Sequence, residues 1–159
     1  LYARARELGR ELARAGFGVL TGGYGGVMEA ASRGAREGGG RTTGVLCAWF
    51  SDREGNPFLD RVVETSDLFD RTRALVDPAD AFVILDGKAG TLAELAFLWA
   101  LHRCGRLGDR PVVLLGDAWT AVLDLLSRQA LLDPQQASIC IRAETPRDAV
   151  AVLRTALLD

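Results

Sequence analysis

The chain has 159 residues, 48% hydrophobic and 25% charged, with a formal net charge of −2. That length suits one domain able to bury roughly two-thirds of its unfolded surface. The charge balance lacks the basic footprint of a nucleic-acid binder, no apolar run reaches membrane-spanning length and no signal peptide is visible, so a soluble cytoplasmic protein is expected.

In chain order, residues 1–15 read as an amphipathic helix, with Leu1, Ala5, Leu8 and Leu12 on one face and Gly16 as its stop. Residues 17–21 are a short strand. Gly22, Gly23, Tyr24, Gly25 and Gly26 then form a turn that opens a second helix, which carries Met28 and runs to about Glu37. Residues 41–47 form a strand. Residues 48–60 are irregular, and the turn chemistry of Asp52-Arg-Glu-Gly-Asn-Pro-Phe58 marks a loop of the kind that is often functional or mobile. Residues 61–65 suit a short strand, and Ser66 or Asp67 caps a helix to about Val76. Residues 81–85 are a strand and residues 91–103 a helix. A strand at 110–115, a helix from 118 to about 131, a strand at 139–143 and a final helix follow. Thr145, Pro146 and Asp148 start that last helix as N-cap, N1 and N3. The alternation predicts a doubly wound, Rossmann-like parallel sheet with helices on both faces. The chain starts at Leu1 with a helix where such a unit supplies a strand, so a first strand lost with a trimmed N-terminus is expected.

Cys47, Cys104 and Cys140 are odd in number and far apart, which predicts idle or buried thiols. The only histidine, His102, falls near a helix C-terminus, where a cation is favoured, and reads as structural. Neither suggests a metal site, and no cofactor is expected.

The stretch around which the chain is organised runs from Phe82 to Trp99. Its strand ends in Asp86-Gly-Lys-Ala-Gly90, which opens a helix at Thr91. Such a turn aims backbone N–H groups and the positive helix end at an anion, typically a phosphate. Gly90 would let the backbone approach closely, and Lys88, the only lysine, sits in the turn. The plain alternative is a capping box, Thr91-Leu-Ala-Glu94. Neither glycine turn is a dinucleotide fingerprint or a Walker loop: Met28 stands where the former needs a small residue, and no Lys-Ser/Thr follows Gly90. The pair is informative, since two strands each end in a glycine turn on the sheet edge where open α/β sheets bind ligands.

Gly22-Gly-Tyr-Gly-Gly-Val-Met28 resembles the Gly-Gly-Gly-x-x-Gly-x-Met stretch of the LOG family, once mislabelled lysine decarboxylases. Gly87-Lys-Ala-Gly-Thr-Leu-Ala-Glu94 resembles its Pro-Gly-Gly-x-Gly-Thr-x-x-Glu signature. Arg71 falls where that family has an Arg-Lys pair, fifteen positions before Asp86. The characterised members are cytokinin riboside 5′-monophosphate phosphoribohydrolases. The resemblance implies a homodimer that cuts the N-glycosidic bond of a nucleoside 5′-monophosphate, releasing base and ribose 5-phosphate. Gly87, Lys88, Gly90 and Thr91 would take the phosphate. Gly22, Gly23, Gly25, Gly26 and Met28 would line the opposite wall, with Glu94 as the catalytic carboxylate and Arg71 orienting it or holding the ligand. The sequence departs from the family at Asp86, Lys88 and Thr72, which stand for Pro, Gly and Lys. These departures favour the alternative of a module that binds such a ligand without cleaving it. Phe97 or Trp99 is expected to meet the partner subunit.

Overall fold

The computed structural model describes residues 1–50 and 54–158. Of the loop read at 48–60, Ser51, Asp52 and Arg53 therefore lie outside the described residues, while 48–50 form a short 3-10 turn. The chain divides into two compact units, Leu1–Ala79 and the part from Asp80 onward.

The first unit contains α1 (Tyr2–Arg14), β1 (Val19–Thr21), α2 (Val27–Glu37), β2 (Thr42–Cys47), β3 (Arg61–Thr65) and α3 (Leu68–Val76). Its sheet is parallel in the order β1-β2-β3, with Val19 opposite Thr42 and Gly44 opposite Val62. Helix α2 supplies the crossover from β1 to β2. Between β2 and β3 the described residues form the 3-10 turn Ala48–Phe50 and irregular chain from residue 54 to 60. Helices α1 and α2 bury Ala5, Leu8, Leu12, Ala30 and Ala35 and approach closely at two glycines. A Cβ on Gly9 would lie 2.0 Å from the Ala31 carbonyl oxygen, and one on Gly34 would lie 1.8 Å from that of Arg6. Asp67 is the cap of α3, its carboxylate accepting from the N–H groups of Phe69 and Asp70 at 2.8 and 2.9 Å.

The second unit contains β4 (Phe82–Leu85), α4 (Ala89–Arg103), β5 (Val112–Leu115), α5 (Ala118–Arg128), α6 (Pro134–Ser138), β6 (Cys140–Ala143) and α7 (Pro146–Leu157). Its sheet is parallel in the order β4-β5-β6. All four residues of the central strand β5 are buried, as a parallel strand covered by helices requires. The Thr145 capping box of α7 forms as its sequence predicts.

The fold is Rossmann-like α/β with parallel strands and flanking helices, as expected from the alternation. Each unit carries one three-stranded parallel ladder. Two features differ from expectation. Helix α5 stops at Arg128, because Ala130 turns into the left-handed region at φ 54° and serves as the breaker a glycine would usually be. The residues after it form α6, started by Asp133, Pro134 and a Gln136 side chain that reaches back to the Asp133 N–H.

Candidate functional site

In the first unit the turn after β1 is held from three sides. The Gly23 N–H donates to Thr21 Oγ1 at 3.1 Å. The Gly22 carbonyl accepts from an Arg71 guanidinium nitrogen at 3.4 Å, and Arg71 Nε donates to the Val45 carbonyl at 3.2 Å. The guanidinium also lies 5.8 Å from the centre of the Tyr24 ring, within cation–π range. A Cβ at 22 would fall 1.9 Å from that guanidinium and 2.7 Å from Met28 Sδ, so any larger residue there would displace both side chains. Gly23 and Gly26 take φ of 78° and 72°, and Gly26 ends the turn as N-cap of α2.

Tyr24 is buried, and its hydroxyl is used twice. It donates to the Cys47 carbonyl at 3.3 Å and accepts from the Cys47 N–H at 2.8 Å. Phe50 stands edge-on to its ring. Asn56, 7% exposed, comes from the loop after β2. Its side-chain amide donates to the carbonyls of Gly23 at 3.0 Å and Tyr24 at 3.2 Å, and its own backbone N–H reaches Gly23 at 2.8 Å. Its Oδ1 accepts the Phe58 N–H at 3.1 Å. Further along, the Asp60 carboxylate accepts from the Thr42 N–H at 2.8 Å and pairs with Arg36, and the Thr42 N–H holds its carboxyl below the usual range.

In the second unit β4 runs into the other turn. The Leu85 carbonyl accepts from the Trp119 indole N–H at 2.7 Å, which fixes the strand end. Helix α4 begins at Ala89, two residues before the expected Thr91. Its N-cap is Lys88, and the first intrahelical bond is Leu92 N–H to the Lys88 carbonyl at 3.1 Å. Thr91 is therefore N3 and Glu94 lies further inside, so the capping box does not form. The reason is steric: the Thr91 side chain fills the space beside Gly87, where a Cβ would lie 2.2 Å from Thr91 Oγ1. Starting early leaves the N–H groups of Ala89, Gly90 and Thr91 without an intrahelical acceptor. Lys88, Ala89 and Gly90 are exposed, and a Cβ on Gly90 would meet no atom within 4 Å. The obstruction expected at Gly90 thus does not come from the protein itself. Asp86 keeps one carboxylate oxygen buried without a hydrogen-bond partner. Glu94 is half-buried, one turn beyond Gly90.

The residues singled out from sequence thus fall into two groups. Gly22 lies against Met28 and Arg71 in the first unit, Gly23 faces Gly44 and Leu46, and Gly25 and Gly26 are exposed at the lip. Gly87 and Thr91 touch in the second, with Lys88, Gly90 and Glu94 on the same turn and helix. Sequence reasoning missed Tyr24 and Asn56 as members. The signals were present: Tyr24 is the one aromatic residue in a glycine run, and Asn56 precedes Pro57 in a segment read only as turn chemistry. Among the described residues no group of His, Cys, Asp and Glu could hold a metal ion.

The model of the SLOG cluster4 family matches residues 1–149. The chain belongs to this family. Among its relatives, the cytokinin riboside 5′-monophosphate phosphoribohydrolase of Mycobacterium tuberculosis is 34% identical over 123 residues, 75% of this chain. The chain spans 64% of that relative's length. The crystal structure of TM1055 shares the SLOG chain's fold at TM-score 0.76 and 34% identity, covering 96% of this chain and 86% of that one. The molybdenum cofactor carrier protein of Chlamydomonas reinhardtii matches at TM-score 0.70 and 29% identity, covering 99% and 89%. This SLOG member therefore resembles both named hydrolases and a named carrier.

Proposed function

We propose that this SLOG chain belongs to an enzyme cleaving the N-glycosidic bond of a nucleoside 5′-monophosphate to free base and ribose 5-phosphate. The observation that carries the reading is the opening of α4. Three first-turn N–H groups, the helix dipole and the Lys88 ammonium gather at an exposed turn, and open space lies beside Gly90. That is the chemistry of a phosphate seat. Glu94 follows one helical turn later. Breaking an N-glycosidic bond develops positive charge on the ribose, as in O-glycoside hydrolysis, and a carboxylate stabilises that charge or activates water. Arg71, rooted on the Gly22 turn, is assigned to holding the ligand. The phosphoribohydrolase activity for which the Mycobacterium tuberculosis relative is named supports the reading, and no metal or redox cofactor is invoked. A homodimer completes the proposal.

Incubation with AMP and N6-substituted AMP, followed by chromatography, is expected to yield free base and ribose 5-phosphate. Glu94→Gln should lower turnover by at least about 10²-fold while largely sparing binding. A second reading, a module that holds a phosphorylated ligand without cleaving it, draws on the carrier neighbour and on Asp86, Lys88 and Thr72. Binding of monophosphates with no base released from any of them would establish that reading and overturn the first.

A further inference from the structure

Three consecutive carbonyls of the first glycine turn accept hydrogen bonds from Arg71 and Asn56. Gly22 accepts from Arg71, while Gly23 and Tyr24 both accept from Asn56. A trans peptide is planar and points its N–H opposite to its C=O. The Gly23 carbonyl shares a peptide with the Tyr24 N–H, and the Tyr24 carbonyl shares one with the Gly25 N–H. Holding both carbonyls on Asn56 therefore turns two consecutive N–H groups away from it. Among the described residues neither N–H donates to any acceptor of the chain, although Tyr24 is buried. Tyr24 is buried and Gly25 is exposed at the lip of the turn, so the two amides stand ready for an acceptor from outside the chain. Successive outward N–H groups in a turn form an anion-binding concavity. The Arg71 guanidinium on the same turn adds positive charge to it.

We infer that Asn56 is a positioning residue which aims the Tyr24 and Gly25 amides at an oxyanion of the bound ligand. Asn56 itself does not touch the ligand. Its side chain is spent on two carbonyls and on the Phe58 N–H, so every hydrogen bond it makes sets the shape of the turn. Its residue type is required: an amide nitrogen can donate to two carbonyls, whereas an aspartate of the same shape would set a charged oxygen against them. The inference rests on the proposed nucleotide-binding reading and adds to it a second oxyanion seat, separate from the opening of α4.

The test is a titration of the full-length, 15N-labelled chain with AMP, following backbone amide resonances. Saturable shifts at Tyr24 and Gly25 are expected, together with shifts at Gly90 and Thr91. In Asn56→Asp the Tyr24 and Gly25 shifts should disappear and the dissociation constant rise about tenfold or more. Should that variant fail to fold, Asn56→Ser, which keeps one donor, is expected to show weaker shifts at the same two amides. A merely structural Asn56 would lower the melting temperature and leave both the shifts and the affinity of the folded fraction unchanged, which would overturn the inference. Shifts at Gly90 and Thr91 without any at Tyr24 and Gly25 in the unmodified chain would also overturn it, while leaving the phosphate seat standing. No shift anywhere would remove both.

Discussion

Lys88 stands where the LOG-type signature that the sequence resembles has its second glycine. It occupies the N-cap of α4 with extended backbone and makes no capping bond with its side chain. Among the described residues no carboxylate, that of nearby Asp86 included, pairs with the ammonium. An exposed charge with three donors at a helix N-terminus suits a ligand phosphate as a mobile point contact. Lys88→Ala should therefore weaken AMP about two- to fivefold, as expected for an exposed ion pair, and leave adenosine nearly unchanged. Calorimetry with both ligands checks this, and equal loss for the two would contradict it. At this scale the sequence was readable where residue type alone restricts the backbone, as at the glycines. It was opaque where a tertiary contact decides. Thr91 looked like an N-cap, but its packing on Gly87 placed it at N3. Asn56 looked like a turn former, and only the folded chain shows its amide between two carbonyls.

Among the elements, the tightest joint is that of α1 with α2. Glycine is a poor helix former, and Gly9 and Gly34 each sit within a helix, where alanine would be favoured by about 1 kcal/mol. Packing outweighs propensity here, because a methyl group at either position would enter a backbone carbonyl of the other helix. Gly34→Ala should consequently destabilise the chain by about 1–3 kcal/mol, the range for forced overpacking, with urea melts as the measure. Gly25→Ala is no substitute control, since Gly25 belongs to the turn proposed to hold the ligand; Arg4→Ala on the exposed face of α1 serves instead. Element identity was legible wherever apolar spacing or caps spoke, as with Asp67 and Thr145. The bounds of α4 and α5 and the whole of α6 were not, because an early start and a left-handed Ala130 leave no distinctive residue type behind.

At the level of the whole molecule, helix α4 leaves Leu92 and Phe97 40% and 41% exposed, along with Ala93, Ala96 and Ala100. These lie three or four residues apart, so they share one face. Trp99, expected as a possible partner contact, is instead buried in its own chain at 5% exposure. A homodimer through the Phe97 face predicts twice the 17.1 kDa chain mass by light scattering, and Phe97→Asp should return it to one. The parallel alternation of strands and helices was readable because each element carries its own period. Which strands share a ladder was not, since that depends on pairings between distant segments. The connection from β2 to β3 unites these scales. It is fastened to the Gly22–Gly26 turn at Asn56 and to β2 through Asp60 and Thr42, so on the proposed reading occupancy of that turn and docking of β3 are thermodynamically linked. Ligand should slow hydrogen exchange in β3, a strand it never touches. The linkage runs in reverse as well. The Asp60 carboxyl is held below its ordinary range, so its bond to Thr42 persists above that range and is lost as pH falls through the lowered value. Acid would then loosen the loop from its far end, and the chain should release its ligand before it unfolds.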